Sequence, residues 1–143
     1  MTPFVKTTGS KGYHVQVPLD RSADFDTVRA FARSVADTLA DRDPQRLTTQ
    51  QRKDQRGERI FIDYLRNAYG QNAIPPYGVR ARPGAPVATP IEWSELGTVT
   101  PDKYTIATIS RRLAQKDNPW RDIAQYRHSI MEASRRLEHM RDR

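Results

Sequence analysis

Cysteine is absent from the 143 residues, which excludes disulfide bonds, thiolate zinc sites and cysteine nucleophiles. Long apolar runs are absent as well: no stretch approaches the roughly 20 residues of a membrane-spanning helix, and no signal peptide opens the chain. Hydrophobic residues make up 36% of the composition, which is enough for a moderate core. The composition therefore predicts a single domain over residues 1–143 that is soluble, cytoplasmic and not associated with a membrane.

The formal net charge of +7 is unevenly distributed along the chain. Residues 44–82 hold eight basic and three acidic side chains, and residues 111–143 hold nine and five. Residues 1–43 are balanced, with six of each, and residues 83–110 are acidic, with one against three. A basic surface favours polyanions such as DNA through counterion release, although a solvated helical face gives the same pattern.

Hydrophobic periodicity predicts the order of the secondary-structure elements. Alternation favours strands from Phe4 to Thr7 and from Tyr13 to Val17, and helical spacing favours a long helix that Ser22 caps and that ends at Asp43-Pro44. Downstream, a polar helix is predicted over Thr48–Arg56, which Gly57 ends in the left-handed conformation, and a strand is predicted at Val79–Arg82 with both arginines on one face. A short helix that Thr89 caps should carry Trp93 and Leu96 inward. The last two predicted elements are a short helix at Ser110–Gln115 and a long helix from Pro119 to about Met140.

A strand over Arg59–Asn67 stands out because it carries a carboxylate among β-forming residues. Burying Asp63 there requires a cation, a metal ion or hydrogen bonds in compensation, and Arg66 and Arg80 lie close in sequence. Two interpretations remain open for this segment alone. Asp63 either pairs with arginine at the edge of a strand, or serves as a metal-binding carboxylate beside arginines that hold phosphates.

The segment Thr7–Gly12 joins the first two strands and contains two glycines, three hydroxyl groups and a lysine. Such a turn can direct backbone N–H groups, hydroxyls and a cation at one anion. It lacks the spacing of a P-loop. It is therefore either an ordinary hairpin turn or a phosphate-binding turn with His14 emerging from it.

Several segments, in their order and spacing, resemble the polymerase domain of bacterial ligase D, which belongs to the archaeo-eukaryotic primase superfamily. They are Lys6–Val15, Arg59–Asn67, Pro76–Val87, Trp93–Leu96 and Asp117–Trp120, and the resemblance covers roughly residues 4–123. It implies an α+β fold, with an antiparallel or mixed sheet flanked by helices, that corresponds to the C-terminal part of a primase-polymerase catalytic domain.

The resemblance also implies roles for individual residues. Asp63 would be catalytic, as one metal-binding aspartate, and the nucleotide-binding residues would be Thr8, Lys11, His14, Arg66 and Arg80. The implied function is the addition of nucleotides, preferably ribonucleotides, at DNA breaks in non-homologous end joining. The implied cofactor is Mn²⁺ or Mg²⁺, the implied partners are DNA ends, nucleoside triphosphates, the end-binding protein Ku and a ligase, and the expected location is the nucleoid.

One departure from the family pattern is large. The family's Asp-x-Asp pair precedes the S-G-x-K-G-x-H motif, whereas only seven residues precede Thr8 here. Two-metal phosphoryl transfer needs several carboxylates to hold both ions, so the sequence predicts a chain that is inactive without a separate upstream half-domain. The alternatives are a non-catalytic module that binds nucleotide or DNA, and a decayed gene fragment.

Overall fold

The computed structural model describes residues 1–141 and shows an α+β fold, as predicted. The strands are β1 (Phe4–Thr7), β2 (Tyr13–Gln16), β3 (Leu47–Thr48), β4 (Ile60–Phe61) and β5 (Pro90–Ile91). The α-helices are α1 (Phe25–Arg42), α2 (Ile109–Gln115) and α3 (Met131–Arg141), with short 3-10 helices at Lys53–Gln55, Trp93–Glu95 and Ile123–Tyr126.

The chain packs as two compact units. The first comprises residues 1–19 and 73–128, and the second comprises residues 20–72 together with the chain from residue 129 onward. This is a division by packing, and the single domain over residues 1–143 stays a prediction.

In the first unit, β1 is the central strand of an antiparallel sheet of order β2-β1-β5. Both strands predicted near the N-terminus are confirmed. Side chains alternate along a strand, so Val5 of β1 faces the core with its register partner Ile91, while Lys6 lies on the opposite face beside its partner His14. Buried Val5, Ile91 and Val99 form the core, against which Leu96 and Tyr104 pack.

A second anchor of this unit is the buried ion pair between Glu95 and Arg112, whose side chains are 11% and 7% exposed. The guanidinium donates to both carboxylate oxygens of Glu95, and also to the Tyr104 hydroxyl (3.0 Å) and to the carbonyl of Pro90 in β5 (3.3 Å). Lys116 lies 3.2 Å from the same carboxylate. The hydrogen bond from Arg112, first among several causes, lowers the pKa of Glu95 from 4.5 to about 2.

In the second unit, α1 packs against α3 and β3, and β3 pairs in parallel with β4. The N-cap of α1 is Asp24 and not the predicted Ser22. The Asp24 carboxylate accepts from the Thr27 N–H at 2.8 Å, whereas the Ser22 hydroxyl donates to Asp20 at 2.6 Å. The predicted end of the helix is confirmed, with Asp43 as the C-cap.

The helix predicted over Thr48–Arg56 is wrong except for the 3-10 turn at Lys53–Gln55. The guanidinium of Arg56 donates to the carbonyls of Gln50 and Gln51, at 2.7 and 2.6 Å, and so holds this backbone in a loop. Gly57 does adopt the left-handed conformation, with φ of +59°.

Two helix predictions nearer the C-terminus also need correction. Residues 90 and 91 belong to β5, and the capping box is built by Glu92 and Glu95 instead of starting at Thr89. Trp93 is 47% exposed, contrary to the prediction that it faces inward. The long helix predicted from Pro119 is wrong up to residue 130, since Ile123–Tyr126 is a 3-10 helix, His128 bridges to Leu19, and α3 begins at Met131. The short helix predicted at Ser110–Gln115 is confirmed as α2.

Among residues 1–141, no helix combines the length and the apolar character that crossing a membrane requires.

We expect the ion pair of Glu95 to make folding stability sensitive to acid. Because its pKa is lowered in the folded state, its contribution of about 3 kcal/mol is complete above the unfolded pKa of 4.5 and is lost as pH falls toward about 2. Glu95→Gln, which leaves Arg112 buried and unpaired, should lower the free energy of unfolding by roughly 3–5 kcal/mol near neutral pH. Urea denaturation at several pH values measures both effects.

The matched control is Glu132→Gln on α3, which removes an exposed pair with Arg136 and should change stability by less than about 0.5 kcal/mol. Equal losses for the two variants would show that the buried pair does not anchor the fold.

Candidate functional site

The turn between β1 and β2 is closed by its own hydrogen bonds. The backbone N–H and the hydroxyl of Thr8 both donate to the carbonyl of Gly12, at 3.1 and 2.7 Å. The N–H of Gly9 donates to the carbonyl of Pro101 at 2.8 Å. These donors, which the sequence suggested for an anion, are therefore occupied within the protein. Ser10 and the exposed Lys11 form no hydrogen bond or ion pair with the rest of the described chain, so they are the turn's available donors.

Arg80 lies directly against this turn. Its Nε donates to the carbonyl of Thr8 at 3.0 Å, and its own N–H donates to the carbonyl of Pro86 at 2.8 Å. The predicted strand over Val79–Arg82 is wrong, since the structure has an isolated bridge between Val79 and Val87. Arg80 is nevertheless held beside the turn by these two hydrogen bonds.

Gly9 allows this close approach. It has a φ of +65°, and a Cβ atom there would lie 3.1 Å from Cγ of Arg80 and 3.2 Å from the carbonyl oxygen of Pro86. Only glycine accommodates both the left-handed backbone and the short contact without strain.

Lys6 is the unexpected member of this group, because its side chain is 1% exposed. Its ammonium Nζ lies 3.1 Å from Nδ1 of His14 and donates to the carbonyl of Ile74. None of the ion pairs among the described residues includes Lys6. Desolvation, and then the charge of Arg80, lower the pKa of Lys6 from 10.5 to about 8. The site therefore holds a buried cation with no carboxylate paired to it in the described chain.

Thr8, Lys11, His14 and Arg80 thus lie around one turn of the first unit, and Lys6 joins them through the contact of its Nζ with His14. Lys6 was missed from the sequence because a lysine in a short strand resembles an exposed edge residue. The available signal was the alternation of β1 and β2, which assigns Lys6 and His14 to the same face of the hairpin.

Asp63 and Arg66 lie in the second unit, where they line a cleft of about 310 Å³ together with Arg29, Leu65, Ala68 and Gln71. The predicted strand ends at Phe61, two residues before Asp63. The Asp63 carboxylate accepts from the Leu65 N–H at 2.9 Å, a local turn that competes with the strand ladder. Asp63 is exposed, and Arg66 donates to Gln71 at 2.8 Å instead of pairing with it.

The described residues do not by themselves fit the divalent metal that the family uses. Residues 1–141 contain no group of three or more histidine, cysteine, aspartate or glutamate side chains that could hold a metal ion. Mn²⁺ and Mg²⁺ need several oxygen ligands, and the cleft at Asp63 is lined by two arginines and no second carboxylate from the described chain.

We expect Gly9→Ala to destabilise the turn, because it forces an alanine into the left-handed conformation and against Arg80 and Pro86. The expected loss is on the order of 1–2 kcal/mol in the free energy of unfolding. Gly12→Ala is the matched control, since a Cβ atom at that residue would have nothing within 4 Å and its φ is not positive. A similar small change in both variants by chemical denaturation would contradict the close packing described for Gly9.

A family model, curated proteins and a solved structure all relate this chain to the same kind of protein. The model of the LigD primase-polymerase domain family matches residues 1–120. The multifunctional non-homologous end joining protein LigD of Pseudomonas aeruginosa is 38% identical over 136 residues, which are 93% of this chain and 16% of that protein. The bifunctional non-homologous end joining protein LigD of Bacillus subtilis is 30% identical over 125 residues, which are 86% of this chain and 20% of that protein.

Among solved structures, the polymerase domain of Mycobacterium tuberculosis ligase D in complex with DNA matches with a TM-score of 0.78 and 28% identity. The match covers 87% of this chain and 43% of that one. The chain therefore spans less than half of the solved domain and less than a quarter of the two curated relatives. Sequence and fold agree that the chain belongs to the LigD primase-polymerase domain family.

Proposed function

We propose that the chain is the part of an end-joining primase-polymerase that holds the triphosphate of an incoming nucleotide. The observation that carries this proposal is the gathering of Lys6, His14 and Arg80 at the β1–β2 turn, where neither Lys6 nor Arg80 has an ion pair within the described chain. A triphosphate supplies the missing negative charge. Exposed Lys11 on the same turn offers a point charge, and Arg80 offers a planar fork suited to phosphate oxygens.

For Asp63 and Arg66, which lie in the second unit, we propose the roles that family membership suggests. Arg66 would bind nucleotide, and Asp63 would be one carboxylate of a metal site whose other ligands come from outside residues 1–141. Thr8 is proposed to support the site through its turn, because its hydroxyl already donates to Gly12.

DNA ends are the proposed polymeric partner, and Ku and a ligase are proposed as protein partners by family membership. The net charge of +7 supports a DNA partner, since basic surface attracts phosphate backbones without reading sequence. A protein that acts on DNA ends would be located at the nucleoid.

A non-catalytic nucleotide-binding module is the second candidate function. It is favoured by one observation, which is that no metal-holding cluster exists within residues 1–141. The two candidate functions share the triphosphate site and differ only in whether carboxylates from outside the described chain complete a metal site with Asp63.

Triphosphate binding is tested by Arg80→Ala, which should weaken the affinity for ATP by roughly 1.5–3 kcal/mol, the range for a hydrogen bond to a charged group. Isothermal titration in the absence of metal measures the change. Arg82→Ala is the matched control, because Arg82 is exposed two residues away and should leave the affinity within about twofold of wild type. If both variants bind ATP as wild type does, the site at the turn is not the triphosphate site.

Catalysis is tested by primer extension on a gapped duplex with Mn²⁺. We expect no extension by the purified 143-residue chain, and extension once a polypeptide carrying the family's Asp-x-Asp pair is added. Extension by the chain alone would contradict the incomplete metal site. Failure to restore extension despite intact ATP binding would favour the non-catalytic module.

A further inference from the structure

Packing and hydrogen bonding alone do not account for the charge of Lys6. A buried ammonium is unfavourable unless a negative charge or several hydrogen bonds compensate it. In the described chain it has two partners, Nδ1 of His14 and the carbonyl of Ile74, and no salt bridge. A methionine would fill a similar volume without the charge, so the position holds a feature that folding alone does not need.

The contact between Lys6 and His14 determines the state of the imidazole. A lysine ammonium has only donors, so Nδ1 of His14 must act as the acceptor at 3.1 Å. The neutral ring then carries its proton on Nε2, which makes Nε2 the donor nitrogen. The two residues are register partners on adjacent strands, so the backbone ladder fixes this arrangement.

We propose that Lys6 is a positioning residue of the triphosphate site, which holds His14 as the tautomer with its proton on Nε2 and supplies buried positive charge behind it. This inference rests on the proposed triphosphate function of the turn. It assigns to Lys6 a role separate from that of Lys11, which lies on the exposed part of the same turn.

A proton-linked affinity follows from the surroundings of Lys6. Within residues 1–141, the charged or titratable groups that act on it are His14 from β2 and Arg80 from the segment after Val79, while its partner on β5 is Pro90, which does not ionise. The pKa of Lys6 is lowered to about 8 without ligand, and a bound polyanion would raise it. Above about pH 8 the free protein increasingly holds Lys6 in its neutral form, so binding of the polyanion is accompanied by protonation of Lys6. The affinity should therefore fall as pH rises through this range.

The experiment titrates ATP, whose terminal phosphate is already ionised at the lower end of the range, into the 143-residue protein, without metal, between about pH 7.5 and 9.5. We expect the wild-type affinity to fall roughly tenfold across this range, with proton uptake visible as a buffer-dependent heat. Lys6→Met should weaken binding at the lower pH and remove the pH dependence. Lys11→Met should weaken binding and keep the pH dependence, and exposed Lys103→Met should change neither.

A second measurement does not depend on any variant folding or on ligand binding. Nitrogen-15 chemical shifts of the wild-type imidazole report the tautomer of His14 directly, and we expect the proton on Nε2. A proton on Nδ1 overturns the inference, as does a Lys6→Met variant that keeps the wild-type pH dependence. If the wild type binds no ATP but shows the expected tautomer, the proposed function fails while the Lys6–His14 contact stands.

Discussion

The alternation of side chains along β1 is the constraint on which the first unit depends. This strand is paired on both edges, and its successive side chains point alternately to the two faces of the sheet. Val5 packs into the apolar cluster with Ile91, and Trp120 donates its indole N–H to the Val5 carbonyl at 3.1 Å. Lys6, one residue later, faces His14. The four residues of β1 therefore connect the apolar core of the unit with the cations beside the turn, and a shift of the strand would displace both.

Two buried cations in this unit illustrate opposite uses of charge. Arg112 is matched by the Glu95 carboxylate and additional hydrogen bonds, so it fixes β5 against α2 and contributes to stability. Lys6 has hydrogen-bonding partners but no counter-ion in the described chain. A protein commonly tolerates such an unfavourable charge where a ligand makes use of it. The contrast is between a structural ion pair and a buried charge for which we propose a role in binding.

The sequence was informative where a local pattern decides the structure. β1, β2 and α2 follow from short-range alternation and periodicity, and the segments quoted for the family resemblance contain both the turn and Arg80, which the fold brings into contact. Sequence reasoning failed where side chains compete for the backbone. The carbonyls of Gln50 and Gln51 accept from the Arg56 guanidinium instead of from helical N–H groups, and hydrophobic periodicity does not encode that choice.

In the candidate site, sequence patterns also failed to predict two features. Asp63 ends its strand through a local bond to the Leu65 N–H, which a pattern of β-forming residues does not reveal. The burial of Lys6 depends on residues far along the chain, namely Ile74 and Arg80. Neither of these two residues is connected to Lys6 by any short-range pattern, so the buried cation emerges only from the folded chain.

The closed turn between β1 and β2 also explains why the number of residues between Thr8 and His14 matters. Thr8 and Gly12 are bonded to each other, and β2 begins at the next residue, so the turn fixes the parity of the second strand. Inserting or deleting one residue would exchange the two faces of β2, so that Tyr13 or Val15 would take the place of His14 beside Lys6. In an evolving gene, this turn can exchange the side chains of its exposed residues but cannot change length by one codon without separating the histidine from the lysine.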